Sequence, residues 1–559
     1  MELKTIKRKK MKKHILFLVT GIALLFGSCS NDEIVPEQPK GKSAAPQLVA
    51  TVEQAPTTRS GVIENNGDYI NGEKFYWSNG DQTTVLFRNS SMTDKTEYKK
   101  VEYAASVADG VQSNSCTFNV TQAESIDNDQ YTVYGFFPTA AWDTRANYTS
   151  FLTANVPAYQ TQNEANSTHL GAYMLMKAQN DVTVDGNSPI NLSYKHLASV
   201  LRFAVWNNSG NNNLKLANIN VKLASGKAVF ATNARLVDID AASLTVSTDS
   251  KVPDLILELN NNAQSFSSKD GKDQCEGYMA VLPTATDAFE SSDDLIIELS
   301  FTDGANKYLV TKTYNIGTDL SFLSNGIEQG KSYYFQLKVD NGDLNAITGT
   351  SYAVGDYWPN SSSPEGIVFW VKPGSFGTQG KVVGLNETYV AKWGVDNDEQ
   401  AAGVAGIRSL TDGKTATKSM IAQYKNSATF AADYPAFHYI YNTVNSGNDN
   451  GVWHLPARDE LKMLYAGYSG KTYESIVNWM SMMPGYDSPE CATARTAFNT
   501  MLTAKGGAAI AGSGGQSQDW YLSSSEKSLS VYYSFDLKEG IYSSDPKNFD
   551  GYIRWIREY

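Results

Sequence analysis

Residues 333–339 read Tyr-Tyr-Phe-Gln-Leu-Lys-Val, and apolar side chains fall on every second position of this stretch. Residues 201–205, Leu-Arg-Phe-Ala-Val, repeat the pattern with their first, third and fifth residues on one face. Period-two alternation bounded by Asn, Gly and Asp clusters indicates β-strands joined by turns. The same signal runs from residue 61 to about residue 340, with further strands predicted at 131–136, 219–223, 255–259 and 295–301. Many short strands with few helices predict a mainly β fold built from sandwiches.

The pattern changes near residue 352. After two predicted strands at 367–371 and 381–385, apolar residues recur at helical spacing around positions 420, 440 and 465. A further helix has clear end signals, because Ser488 can cap it, Pro489 suits its first turn and Gly506 can end it. Strands predicted at 531–537 and 552–556 follow. This order of strands and helices predicts a separate α+β domain over residues 350–559.

Composition excludes some classes of function. The chain has 559 residues, a net charge of -12 and no lysine or arginine run outside its first residues, which argues against nucleic-acid binding because that binding requires a basic surface. Four cysteines, at positions 29, 116, 275 and 491, are too few and too scattered for a disulfide framework. No Cys-x-x-Cys or His-x-x-x-His spacing supports a zinc site. We therefore predict no nucleic-acid partner, no cofactor and no bound metal.

The first residues carry a processing signal. Lys12 and Lys13 precede an apolar stretch over 15–26, and residues 26–29 read Phe-Gly-Ser-Cys. A charged region, a short apolar region and small residues before a cysteine are typical of a lipoprotein signal peptide, and the apolar run is too short for a good transmembrane span. We predict removal of residues 1–28 and lipidation of Cys29. The alternative is an ordinary signal peptide with an incidental cysteine.

Five short motifs follow one another between residues 60 and 340. They are Phe-Tyr-Trp-Ser-Asn-Gly-Asp at 75–81, Tyr-Gly-Phe-Phe-Pro at 134–138, Tyr-Lys-His-Leu-Ala-Ser-Val-Leu-Arg-Phe at 194–203, Val-Leu-Pro at 281–283 and Gly-Lys-Ser-Tyr-Tyr at 330–334. Together they resemble the landmarks of fimbrillin-family proteins, the shaft and tip subunits of type V pili. The resemblance implies two transthyretin-like β-sandwich domains, here over 60–187 and 188–345. It also implies a lipoprotein precursor that is cut after an arginine, which removes the first strand of the N-terminal sandwich.

Residues 29–59 contain a tether and a candidate for that removable strand. Residues 47–52 read Gln-Leu-Val-Ala-Thr-Val, and their alternation places Leu48, Ala50 and Val52 on one face. Removal of an edge strand leaves unpaired backbone groups above an apolar groove, which another chain's strand can occupy. A trypsin-like protease can cut between Arg59 and Ser60. Taken alone, Arg59 favours a surface arginine in a linker, but its position after the strand and within the family pattern reverses this and favours processing.

The tail has motifs of its own. They are Val-Gly-Asp-Tyr-Trp-Pro at 354–359, Gly-Ile-Val-Phe-Trp-Val at 366–371, Trp-His-Leu-Pro-Ala-Arg-Asp-Glu-Leu at 453–461, Trp-Tyr-Leu-Ser-Ser-Ser-Glu at 520–526 and Arg-Trp-Ile-Arg at 554–557. These elements resemble C-type-lectin-like domains of bacterial surface proteins. The Glu-Pro-Asn, Gln-Pro-Asp and Trp-Asn-Asp signatures of calcium-dependent sugar-binding lectins do not occur. Calcium-mediated sugar binding is therefore unsupported.

Residues with catalytic or metal-binding chemistry are few. His454 stands between Trp453 and Leu455 just before a helix, which favours a packed or capping histidine over a catalytic one. Residues 396–399, Asp-Asn-Asp-Glu, offer oxygen ligands but lack the glycine and terminal glutamate of a calcium loop, so a solvated turn is favoured. No sequence pattern indicates convergent polar groups in a pocket. We predict no catalytic residue.

The interpretation that joins these signals is a cell-surface adhesive protein, the tip subunit of a pilus. The resemblance implies that shaft subunits donate their C-terminal strand, whereas this chain continues past Val339 into a whole domain. Its partners would be other pilin subunits, through strand exchange, and an unidentified host or bacterial surface ligand. We expect contact loops at 386–406 and 506–520. The alternative is a permanently lipidated outer-membrane protein that binds glycan or protein ligands.

Overall fold

Strands dominate the part of the chain that the structure describes. The computed structural model describes residues 42–43, 45–53, 60–63, 75–93, 97–108, 111, 113–143, 152–163, 166–246, 251–259, 263–269, 272–471, 489–510 and 520–559. Within these ranges every α-helix lies after residue 398. None of the described helices is long and apolar enough to cross a bilayer.

The elements up to residue 346 are strands with a few 3-10 turns. In chain order the strands are β1 Lys42–Ser43, β2 Leu48–Val52, β3 Ser60–Ile63, β4 Gln82–Arg88, β5 Lys99–Ser106, β6 Ser115–Ala123, β7 Ile126–Asp127, β8 Gln130–Phe137, β9 Trp142–Asp143, β10 Leu152–Asn155, β11 Tyr159–Gln162, β12 Met176–Thr183, β13 Ile190–His196, β14 Ser199–Asn208, β15 Lys215–Leu223, β16 Phe230–Ala231, β17 Asn233–Leu236, β18 Thr245–Val246, β19 Lys251–Val252, β20 Asp254–Leu259, β21 Gln264–Ser265, β22 Ser267–Lys269, β23 Lys272–Val281, β24 Asp294–Thr302, β25 Lys307–Asn315, β26 Ser332–Asp340 and β27 Asn345–Ala346.

The tail mixes strands and helices, in agreement with the predicted change of pattern. Its elements are β28 Tyr357–Trp358, β29 Gly366–Val371, β30 Gly380–Gly384, β31 Thr388–Val390, α1 Glu399–Ala402, α2 Gly413–Tyr424, α3 Phe430–Asp433, α4 Pro435–Tyr439, α5 Arg458–Tyr468, α6 Pro489–Ala504, β32 Tyr521–Ser528, β33 Val531–Asp536, β34 Ile541–Pro546, β35 Gly551–Ile553 and β36 Ile556–Glu558.

The first unit is a closed barrel. Its strands follow one another in the order β12-β13-β2-β6-β5-β4-β8. The strand predicted near the N-terminus is present as β2, and its three alternating apolar residues are buried. β2 runs parallel to β13 and antiparallel to β6. It therefore joins two edges that would otherwise be open, and the ring closes around one apolar core.

The second unit consists of two sheets packed over a common core. One sheet has the order β22-β23-β14-β26-β3, and the other has the order β11-β20-β15-β24-β25-β27. Strands β14 and β26, which contain residues 201–205 and 333–339, are parallel neighbours. Phe203 stacks on Phe335 with ring centroids 5.2 Å apart. The alternating apolar residues of both strands are buried in the core between the sheets, as predicted.

The chain crosses between the barrel and the sandwich more than once. β13 belongs to the barrel and β14 to the sandwich, so the change falls between His196 and Ser199, whereas the sequence predicts it between residues 187 and 188. Segments that precede this point also enter the sandwich, because β3 pairs with β26 and β11 pairs with β20. Periodicity reports which face of a strand is buried but not which strand lies beside it. The boundary therefore had no local signal.

The tail is an α+β unit attached to the sandwich. Its sheets have the orders β28-β29-β30-β36 and β31-β35-β32-β33-β34. One apolar core packs α5 and α6 against these sheets, and a second core surrounds Trp393. The loop between β29 and β30 contacts the sandwich, where Lys307 Nζ donates a hydrogen bond to the Phe376 carbonyl at 3.2 Å.

Candidate strand-exchange site

The backbone of β2 is hydrogen-bonded on both sides. On the β13 side, the Glu53 N–H donates to the Tyr194 carbonyl at 2.9 Å. On the β6 side, the Val52 N–H donates to the Asn114 carbonyl at 2.8 Å. We call the space that β2 occupies between β13 and β6 the strand slot. An empty strand slot would present two unpaired strand edges, each able to bind another strand.

The side chains of β2 complete the barrel core. Leu48, Ala50 and Val52 are at most 4% exposed. They belong to one apolar cluster with Trp77 and Phe118, whose rings meet edge to face at 5.0 Å. Full burial of a leucine or valine contributes about 1.5–3 kcal/mol. Loss of β2 would therefore cost several kcal/mol and leave an apolar groove, unless another strand replaced it.

A buried histidine holds the C-terminal end of β2. His196 Nε2 lies 3.1 Å from the Glu53 carbonyl oxygen, which can only accept, so this nitrogen carries the proton and donates. The ring also packs against Phe75 with centroids 4.0 Å apart. Burial lowers the pKa of His196 to about 4, although the hydrogen bond to Glu53 opposes this shift. The ring is therefore neutral at pH 7.

Acidification is expected to loosen this end of β2. Because folding lowers the pKa of His196, its contribution to stability is complete above 6.5 and is lost as the pH falls towards 4. Burial also lowers the pKa of His169, so both histidines act in the same direction. Hydrogen exchange of the Glu53 amide, corrected for its intrinsic rate, should accelerate between pH 7 and pH 4. The His196→Gln variant should lose most of this acceleration; an unchanged profile would assign the effect to another group.

The predicted processing residues lie mostly outside the described part of the chain. Cys29 and Arg59 are not among the described residues, so lipidation and cleavage remain predictions. Ser60 begins β3, where its backbone is paired with that of Tyr333 in β26. The segment that contains the predicted cut therefore leads from a strand of the barrel to a strand of the sandwich.

The acidic residues at 396–399 form a helix cap. Asp398 accepts hydrogen bonds from two backbone N–H groups at the start of α1. Its other oxygen accepts hydrogen bonds from the hydroxyls of Tyr424 and Tyr434. Among the described residues no group of three or more His, Cys, Asp or Glu side chains could hold a metal ion.

His454 is buried and belongs to a group of buried polar residues that the sequence does not reveal. Its Nε2 lies 3.5 Å from Glu460 Oε1, which also receives a hydrogen bond from Lys381 Nζ at 2.6 Å. Glu460 Oε2 accepts from the backbone N–H groups of Ala457 and Gly413 at 2.8 and 3.1 Å. Burial alone would raise the pKa of Glu460, but Lys381 and His454 hold it well below its usual range. Glu460 is only 1% exposed, and these contacts occupy both of its carboxylate oxygens. The carboxylate therefore has a structural role.

The predicted contact loops of the tail are only partly irregular. The segment 386–406 contains β31 and α1. Of the segment 506–520, residues 511–519 lie outside the described residues. Trp393 is fully buried, whereas Trp358 and Trp453 are half-buried. The ring centroids of Trp358 and Trp453 lie 4.1 and 5.5 Å from Arg557 Cζ.

A model of the fimbrillin-like family matches residues 58–356, which include Arg59, Ser60 and all of the sandwich strands. The chain belongs to the fimbrillin-like family. No curated protein matches this fimbrillin-like chain. Membership supports a role in a pilus or as an adhesin, at the cell surface and together with other pilin subunits. It also points to a structural protein rather than an enzyme.

Two solved structures to which the fimbrillin-like protein is similar come from bacteria. A fimbrial protein from Bacteroides ovatus is 13% identical with a TM-score of 0.23, and the match covers 92% of this chain and 99% of that one. The tip fimbrial protein Mfa3 from Porphyromonas gingivalis, truncated at its C-terminus, is 13% identical with a TM-score of 0.25, and the match covers 53% and 95% of the two chains. The family assignment rests on the family model alone, because both TM-scores are low.

Proposed function

We propose that this protein is the tip subunit of a pilus, assembled by strand exchange after cleavage at Arg59. The position of β2 carries the proposal. β2 closes the barrel between β13 and β6, and only residues 53–58 separate Val52 from Arg59. A cut after Arg59 would detach β2 from the rest of the chain without breaking any described strand. The strand slot could then accept a strand from another pilin.

The pairing of strands β26 and β36 supports a tip position. β26 pairs with β14 along its whole length, from Ser332 to Asp340, so its withdrawal would disrupt the sandwich. The last strand, β36, has only three residues and pairs with β30 inside the tail. Neither strand is a free donor that matches the five residues of β2. A subunit that has a strand slot, and whose described strands β26 and β36 are held in their own sheets, suits the distal end of a fibre.

Sequence signals support a lipid anchor, two transthyretin-like domains and a ligand-binding tail. Lipidated Cys29 would hold the precursor on the outer membrane, and the cut after Arg59 would remove this anchor together with β2. The barrel and sandwich would be the two transthyretin-like domains of the family. The tail, with its C-type-lectin-like motifs, would bind the surface ligand at the tip without calcium.

The Arg59→Ala variant tests this function. Because the sequence predicts Arg59 in an accessible segment, and surface substitutions usually change stability by only about 0.5 kcal/mol, the precursor should fold normally. It should be absent from purified pili and should keep its lipid-bearing N-terminus, as measured by mass spectrometry. Arg235→Ala, which changes an exposed arginine in β17, should assemble normally. Normal incorporation of Arg59→Ala would contradict the proposal, and wild-type protein that retains Cys29 at the surface would favour a permanently lipidated surface protein.

A further inference from the structure

A cavity of about 590 Å³ opens at the C-terminal end of the strand slot. Val52, the last residue of β2, lines both the strand slot and this cavity. The other lining residues include Tyr76, Trp77, Val111, Phe137 and Met176. The volume lies within the range of about 300–1,000 Å³ that is typical of ligand pockets. We call this space the docking cavity.

The docking cavity combines an apolar floor with an exposed rim that is partly apolar and partly polar, because Ser78, Asn79, Asp81 and His169 also line it. Trp77 and Phe137 are each 3% exposed and belong to the barrel core. Tyr76 and Val111 are 38% and 53% exposed, and both line the cavity. Exposed apolar side chains at a concave surface that has an apolar floor and a few polar groups are typical of an interaction site. An extended chain that leaves the strand slot at Val52 would enter this space directly.

At the C-terminal end of β2, the strand slot extends beyond Val52, the last of the three buried apolar residues of β2. The partner of Val52 in β13 is Tyr194, and β13 extends two residues further to His196. Met176, which is paired with His196, lines the docking cavity. The apolar series of positions 48, 50 and 52 would next reach position 54, which is a glutamine. Gln54 lies outside the described residues, and its side chain is polar.

We propose that the docking cavity receives an apolar side chain of the donor strand from another pilin subunit. The donor runs in the same direction as β2 and carries this side chain two residues past the position of Val52. A cut after Arg59 creates a free end of β2 on this side, so the donor binds the cavity first and then displaces β2 from Val52 towards Leu48. The inference rests on the proposed strand exchange and adds a feature that the partner must have.

Two peptides that differ at one position provide the test. A tobacco etch virus protease site is inserted between Arg59 and Ser60 of the exported chain carrying Cys29→Ser, so that the cut does not depend on natural processing. Labelled peptides with the sequence of residues 46–54, either unchanged or with Gln54→Leu, are then added to the cut protein. The leucine peptide should bind about tenfold more tightly, because it buries an additional apolar side chain. It should also displace β2 faster, as measured by fluorescence anisotropy and mass spectrometry.

Matched variants locate the effect. Val111→Asp should abolish the advantage of the leucine peptide, and Tyr76→Ser should reduce it in the same direction. Val120→Asp is the control, because Val120 is also exposed, at 40%, but lies at the opposite end of the strand slot, two residues past the partner of Leu48. Equal binding of both peptides, or loss of the advantage in Val120→Asp, would overturn the docking cavity while leaving strand exchange intact. If neither peptide enters the cut protein, strand exchange itself fails.

Discussion

An Ala50→Cys variant is expected to lock β2 into the barrel and to abolish incorporation into pili. Ala50 lies directly opposite Cys116 in the antiparallel ladder of β2 and β6. The hydrogen bond from Val52 to Asn114, two residues away, makes this a hydrogen-bonded pair with Cα atoms about 5.5 Å apart. Disulfides form at Cα separations of about 4.4–6.8 Å. A cut after Arg59 would then leave β2 covalently bound in the strand slot, which could not accept a donor.

The chemistry of Cys116 determines how the locked protein is prepared and controlled. Burial raises the pKa of Cys116 to about 11, so its thiol reacts slowly at neutral pH and an added oxidant is needed. Mass spectrometry of peptides should show a disulfide between Cys116 and the cysteine introduced by Ala50→Cys. The double variant Ala50→Cys, Cys116→Ser cannot form this bond and should assemble normally. Reduction of the locked protein should restore assembly. Normal assembly of fully oxidised protein would show that β2 need not leave.

Much of the strand content could be predicted because burial leaves a local signature. The alternation at 47–52 predicts a strand, and β2 has the predicted face buried. The same holds for β14 and β26, whose apolar residues face one core. In each case the side chains that alternate in sequence alternate in space. The buried face of each of these strands could therefore be predicted from the sequence.

Pairing between strands that are far apart in the chain leaves no such local pattern in the sequence. The parallel pairing of β2 with β13 joins residues about 142 positions apart, and no periodicity reports it. The docking cavity likewise draws on Val52, Val111 and Met176, which belong to separate segments. The predicted strand at 552–556 is divided into β35 and β36, which lie in different sheets. Arg554 stands between them, fully buried, with its Nε 3.2 Å from Glu387 Oε2.

The largest loss of stability in the tail is expected from Glu460→Ala. Removal of this carboxylate would leave Lys381 buried beside His454 without its main counter-charge. Breaking a buried ion pair by removing one partner costs about 3–5 kcal/mol. Because folding lowers the pKa of Glu460, its contribution is complete above about 4.5 and declines as the pH falls below that value. Hydrogen exchange of the α5 amides at pH 7, in the full chain, measures the loss.

Glu558→Ala is the matched control for Glu460→Ala. Glu558 contacts the same Lys381, at 3.5 Å, and also Lys414, but it is 49% exposed. Exposed ion pairs contribute only about 0–1 kcal/mol, so this variant should change exchange little. A double variant, Glu460→Leu with Lys381→Met, should recover part of the stability, because no unpaired buried charge remains but the N–H groups of Ala457 and Gly413 lose their acceptor. Equal losses in Glu460→Ala and Glu558→Ala would show that the buried group does not hold the tail together.

Glu460→Ala should also separate adhesion from assembly. None of the described residues that line the strand slot or the docking cavity lies in the tail. A subunit with an unfolded tail should therefore still lose β2, accept a donor strand and appear in purified pili, while its binding to surface ligands is lost. Immunogold labelling of pilus tips and binding of whole pili to host matrix measure the two properties separately. Loss of tip labelling in a folded, processed variant would show that the tail takes part in assembly.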